Sequence, residues 1–160
     1  MLKKILFGFV LISSLGGCLK GKENTFTCTY DACAVKAPDA ETQAVQDYLT
    51  ANNITNAQKH CSGFFYIIDN PGTGNAPTAC TGVRATYKGT FTNGEEFDSG
   101  TADFGLNQVI RGWTNGLPLI KQGGKIRLFI PPSLGYGDEP YYDIPGKSIL
   151  IFEVNLDIVY

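Results

Sequence analysis

The chain has 160 residues, 43% hydrophobic and 18% charged, which fits one ordinary globular domain better than a disordered or fibrous chain. Its formal net charge of -2 excludes the basic face that nucleic acid demands. A single histidine gives little basis for Ser-His-Asp or Cys-His catalysis, and no Walker loop, zincin motif or Ca²⁺ loop occurs.

At the N-terminus, Lys3-Lys4 precede a short apolar run, Ile5 to Ile12, and the small residues Ser13, Ser14, Gly16 and Gly17 lead to Cys18. This order reads as a signal peptide over residues 1–17. The string Leu15-Gly16-Gly17-Cys18 matches a bacterial lipobox, in which cleavage leaves Cys18 as a lipidated first residue. The alternative is a plain secretory signal with an incidental cysteine. The apolar run is shorter than the roughly 20 residues that span a bilayer. The expectation is therefore an exported protein, lipid-anchored to a cell-envelope membrane on its periplasmic or surface side.

Four further cysteines, Cys28, Cys33, Cys61 and Cys80, read as two disulfides in an exported chain. Three connectivities are open, and spacing favours a Cys28–Cys33 loop with a Cys61–Cys80 clasp. Without paired CxxC knuckles, no metal site is expected, and His60 reads as a plain exposed residue.

Residues 19–37 are a polar tether. From Pro38-Asp39 to Asn52-Asn53, Ala44, Val45, Tyr48 and Leu49 recur at helical spacing against a polar face. This helix packs on the main domain or serves as a spacer. It is too short to specify a dimer, and a monomer is expected. Phe64 to Ile68 is strand-like and closes at Asn70-Pro71-Gly72. Val83, Ala85 and Tyr87 alternate with polar residues as a half-buried strand. Asn93-Gly94 signals a hairpin, with Glu95 to Asp98 as its return and Phe104 to Leu106 as a separate apolar piece. A short helix follows Val109-Ile110 and must end before Pro118. Lys125 to Ile130 and Ser148 to Val159 are further strands, the last with a phase break near Phe152 that suggests a bulge.

Tyr87, Phe97, Phe104, Trp113, Tyr136 and Phe152 all lie in glycine-marked segments. Their contexts are Tyr87-Lys88-Gly89, Asn93-Gly94-Glu95-Glu96-Phe97-Asp98, Gln108-Val109-Ile110-Arg111-Gly112-Trp113, Gly123-Gly124-Lys125, Ile130-Pro131-Pro132, Tyr136-Gly137, Ile144-Pro145 and Leu150-Ile151-Phe152-Glu153-Val154. In this order they resemble the FKBP-type peptidyl-prolyl cis–trans isomerases over about residues 63–160.

The resemblance implies an α+β fold: an FKBP-like antiparallel half-barrel sheet of five or six strands wrapped around one short helix, with a short N-terminal helix besides. Residues 1–17 are then the signal peptide, 18–60 a tether with a disulfide loop and short helix, and 61–160 the isomerase domain. It implies an apolar pocket for a proline ring, with Trp113 as floor and Tyr87, Phe97, Phe104, Val109, Ile110, Ile144 and Phe152 as walls. The Tyr136 hydroxyl and the Ile110 backbone N–H would donate to substrate carbonyls, and Asp98 would accept at the rim. Proline-containing polypeptides are the implied substrates, and immunosuppressant macrolides further implied occupants of the same hollow. No cofactor is implied.

That residue set suits the reaction. Rotating an X–Pro bond breaks amide resonance, against a barrier of about 18–20 kcal/mol, and is slow unaided. No bond is made, so no nucleophile is required. A twisted amide carries less charge on its oxygen, and an apolar pocket tolerates it better than the planar form relative to water. Tyr136 and the Ile110 amide would fix the flanking carbonyls. The loop from Gly137 to Pro145 is more acidic and more aromatic than the family's usual glycine-rich one, which bears on substrate preference and macrolide affinity. A non-catalytic module that holds proline segments as a chaperone is the alternative function, and a dedicated surface client selected by the Asp138–Asp143 loop is a third.

Overall fold

A computed structural model describes residues 27–160. The expected signal peptide and Cys18 lie outside the described residues. Six strands form one antiparallel sheet: β1 Gln58–Lys59, β2 Phe65–Asn70, β3 Gly82–Thr90, β4 Glu96–Gly105, β5 Lys125–Ile130 and β6 Leu150–Val159, in spatial order β1-β2-β5-β6-β3-β4. Two short α-helices, α1 Asp39–Ala51 and α2 Arg111–Gly116, complete the expected α+β architecture.

Each face of the sheet is covered differently. Val83, Ala85, Ile126, Leu128, Ile130, Phe152, Val154 and Leu156 form the main core with Trp113 and Leu117 from the α2 region. On the opposite face, Val45 and Leu49 of α1 pack against Phe65, Ile67 and Phe129. Each buried Val, Leu, Ile or Phe side chain among them contributes roughly 1.5–3 kcal/mol by leaving water. The N-terminal helix therefore packs on the domain. Asp39 and Glu41 occupy its positively polarised first turn. Glu41 also accepts the Ser133 amide at 2.9 Å, tying α1 to the turn after β5.

Glycines decide how closely α2 approaches the sheet. A Cβ on Gly112 would collide with Ile130, and one on Gly116 would sit 2.7 Å from Leu128. These two residues, one helical turn apart, lay the helix flat on β5. The α-helix ends at Gly116 and Pro118 falls in the following 3₁₀ turn, Leu117–Leu119, so it interrupts no helical hydrogen bond.

Several expectations need correction. The return strand of the hairpin and the apolar piece near Phe104 are one strand, β4, paired with β3 from Thr90↔Glu96 to Gly82↔Gly105. The apparent phase break near Phe152 is no bulge. Leu150, Phe152 and Val154 face the main core, while Ile149 and Ile151 meet the α1 cluster, so both faces are apolar there. The irregularity in pairing lies at the other end, where Arg84↔Ile158 gives way to Ala85↔Leu156. The cysteines are disulfide-bonded, but as Cys28–Cys80 and Cys33–Cys61, with Cα separations of 5.8 and 5.5 Å. The segment 27–37 lies across the domain instead of folding on itself, so each cysteine meets a partner on a different element. His60 is half-buried, stacked on Phe64 at 4.5 Å and bonded to Ser62 at 2.9 Å. Its pKa is lowered by burial.

Candidate active site

A cavity of about 290 Å³ opens between the inner face of the sheet and α2. Of the residues singled out in the sequence, Tyr87, Asp98, Phe104, Val109, Ile110, Trp113, Tyr136 and Phe152 line it. Phe97 and Ile144 do not. Phe97 packs edge-on to Phe152 at 5.4 Å and against Phe91 at 4.9 Å. Ile144 is buried beneath the loop after Tyr136, where its backbone exchanges two 2.9 Å hydrogen bonds with Tyr141.

Trp113 is 4% exposed and meets three rings edge to face: Tyr87, Phe104 and Phe152, each with centroids 5.3 Å away. This geometry sets the electropositive edge of one ring against the π-face of another. Strand alternation puts Val83, Ala85 and Tyr87 on the inner face of β3, with Val83 and Ala85 fully buried. Gly89 continues that row because a Cβ there would press into the Phe97 and Phe152 rings at 2.6 and 2.9 Å. The indole Nε1 is the one buried side-chain nitrogen or oxygen without a partner among the described residues.

The rim is polar. Tyr87 donates to Asp98 at 2.9 Å. Burial first, then the Asp98 hydrogen bond and charge, push the Tyr87 phenol up to about 12. Burial also raises the Tyr136 phenol, with smaller contributions from Tyr141 and Asp98. Both are hydrogen-bond donors at neutral pH, and the Tyr87 proton is already committed to Asp98. Ile110 is the N-cap of α2, with φ -58° and ψ 147°. Its carbonyl accepts the Trp113 and Thr114 amides, while its own N–H stands outside the helical ladder. Thr114 fixes this turn by donating to the Leu106 carbonyl at 2.6 Å.

Two lining residues were missed as site residues, Gln108 and Tyr141. Gln108 adjoins Val109 in the motif, which was a usable signal. Tyr141 lies in an aperiodic loop that offers none. Its ring stacks on Tyr136 at 4.6 Å and adds a wall beside the hydroxyl.

An open antiparallel sheet enclosing one ring-sized aromatic hollow against a short helix defines the class of domain. Residues 74–157 match the family model described as FKBP-type peptidyl-prolyl cis-trans isomerase, and the chain belongs to that family. The FkpA isomerase of Buchnera aphidicola is 41% identical over 114 residues, covering 68% of this chain and 47% of that protein. FkpA of Escherichia coli K12 is 44% identical over 100 residues, 59% of this chain and 37% of the relative. The chain thus spans about half the length, or less, of these curated relatives. The crystal structure of Escherichia coli FkpA superposes with a TM-score of 0.68 at 38% identity, covering 75% of this chain and 60% of that one. A peptidyl-prolyl isomerase from Pseudomonas syringae gives 0.67 at 32% identity, covering 78% and 98%.

Proposed function

We propose that this chain accelerates cis–trans isomerisation of X–Pro bonds in exported polypeptides, using the Trp113 pocket. The carrying observation is the apolar cage around Trp113, with the uncommitted Tyr136 phenol among its lining groups. The proline ring would lie on the indole, bordered by Tyr87, Phe104, Val109 and Phe152. Tyr136 and the Ile110 N–H would hold the flanking carbonyls, and Asp98 would receive a donor or orient Tyr87. Phe97 and Ile144 would act from behind, bracing Phe152 and the loop. The twisted amide, being less polar than the planar one, gains relative to water in such a surrounding.

The two disulfides suit an oxidising compartment. Residues 1–17 would direct export, Cys18 would carry acyl chains, 18–60 would join the anchor to the domain through the disulfide-bonded segment and α1 that pack on it, and 61–160 would hold the active site. The protein would work as a monomer, and immunosuppressant macrolides would compete for the same hollow. Mass spectrometry of the N-terminal peptide tests the lipid: an unmodified Cys18 refutes the anchor. Exchange NMR on a short X–Pro peptide tests the activity. Line broadening from accelerated exchange is expected, whereas binding without acceleration identifies a non-catalytic proline-holding module.

A further inference from the structure

We propose that the cleft between the disulfide-bonded N-terminal segment and the start of α2 is a second substrate subsite, which receives an acidic side chain flanking the proline. The proposal rests on the proline-pocket reading above and adds the sequence class of peptide that pocket serves.

The cleft has a volume of about 360 Å³ and is lined by Tyr30, Cys80, Asn107, Val109, Arg111 and Thr114, among others. Val109 lines both this cleft and the proline pocket. A peptide seated over Trp113 reaches the cleft by crossing that one side chain. An extended chain advances about 3.3 Å per residue, so the side chain that enters belongs to a residue close to the proline on the Val109 side.

The outer wall is a built surface. The Cys28–Cys80 bridge fastens the N-terminal segment to the wall residue Cys80. Tyr30 donates to Asn115 Oδ1 at 2.6 Å, and Asn115 is itself 4% exposed. Its amide donates to the Ala32 carbonyl and to Ser62, each at 3.1 Å. Tyr30 is thereby held over the cleft by the back of the helix that carries Trp113. It also precedes residue 74, where the family match begins.

The chemistry of the occupant follows from Arg111. Arg84 and Arg127 each spend two guanidinium nitrogens on a carboxylate, Asp103 and Asp69 respectively. Arg111 is exposed and, among the described residues, has no carboxylate within ion-pair distance. A guanidinium fork matches a carboxylate in two-pronged fashion. The proline pocket itself carries one carboxylate, Asp98, which accepts from Tyr87 and lies near Tyr136. The free guanidinium thus belongs to the cleft and not to the proline pocket, so an acidic residue is favoured where the peptide runs over Val109 towards Arg111.

The test uses the full-length protein in detergent and heptapeptides with a central proline, carrying Glu, Gln or Lys at each flanking position. Trp113 is the sole tryptophan, so its fluorescence reports binding directly, and exchange NMR on the same peptides reports isomerisation. Glu at one flanking position, on one side of the proline only, tightens binding about two- to fivefold over Gln, and added salt erases the gain. Arg111→Glu inverts the preference at that position and leaves the all-neutral peptide unaffected. An unchanged charge profile in Arg111→Glu, or a wild-type profile without positional dependence, overturns the subsite. A neutral peptide that is isomerised while the profile stays flat overturns the subsite alone. A profile that inverts without any accelerated exchange supports the subsite and overturns the isomerase reading. Failure of every peptide to bind overturns both.

Discussion

The rings of Tyr136 and Tyr141 lie nearly parallel, 11° apart, with centroids separated by 4.6 Å. Tyr136 is 37% exposed, so the sheet does not confine its ring on every side. Tyr141 supplies the missing restraint, and its own backbone is clipped to Ile144 in both directions. Removing this stack should leave the fold intact and misdirect the Tyr136 hydroxyl. Tyr141→Ala is expected to lower kcat/KM about two- to tenfold, matching the 0.5–1.5 kcal/mol of an aromatic pair. Tyr141→Phe should retain the activity. A folded Tyr141→Ala with wild-type kcat/KM refutes the positioning role.

Tyr87 and Asp98 make the second prediction, one of pH. The Tyr87 phenol is raised to about 12 in the folded chain, above its ordinary value near 10. A raised phenol favours the folded state below pH 10, where both states are protonated, and that contribution fades as pH climbs towards 12. In Asp98→Asn the Tyr87 pKa should fall, yet stay above 10, because burial is the larger cause. NMR of the ring carbons follows this directly. Wild-type titration of Tyr87 near 10 would contradict it.

Asn115 joins the N-terminal segment to the back of the pocket through Tyr30, Ala32 and Ser62. Asn115→Ala strands these partners and should cost about 1–3 kcal/mol in urea unfolding. Tyr30→Phe should cost less and combine with Asn115→Ala less than additively, because the two share one hydrogen bond. Full additivity would show that the bond contributes nothing.

Gly112→Ala reverses the usual helix rule. Alanine in a helix interior normally gains about 0.5–1 kcal/mol over glycine. Here the new methyl meets Ile130 across a flush interface, and overpacking costs about 1–3 kcal/mol. A net loss of stability is expected, with altered Trp113 fluorescence. A stabilised variant would mean that α2 lifts off the sheet at little cost.

The pocket residues were named through the resemblance carried by the ordered motifs, and local sequence signals account for where several of them stand. Tyr87 follows the alternation of β3, Asn93-Gly94 closes the hairpin that carries Asp98, and Trp113 falls on the helix that Gly112 and Gly116 lay against β5. What was not legible depends on tertiary placement. Disulfide pairing follows the path of segment 27–37 across the domain, and spacing between cysteines carries no record of that path. Tyr141 joins the site through a loop with no period. Ile149 and Ile151 looked out of phase because α1, distant in sequence, buries the second face of β6. Phe97 packs on Phe91 and Phe152 and is not among the residues lining the hollow.

The central claim is that a dry aromatic cage eases rotation of a prolyl amide without transferring a proton. Exchange NMR of one X–Pro peptide in H₂O and in D₂O, with wild type, Tyr136→Phe and Trp113→Leu, tests it most directly. The account predicts accelerated exchange with no solvent isotope effect, reduced by about tenfold or more in folded Trp113→Leu, a loss of ~1.4 kcal/mol or greater. Undiminished acceleration by folded Trp113→Leu, or a rate that drops sharply in D₂O, would contradict it.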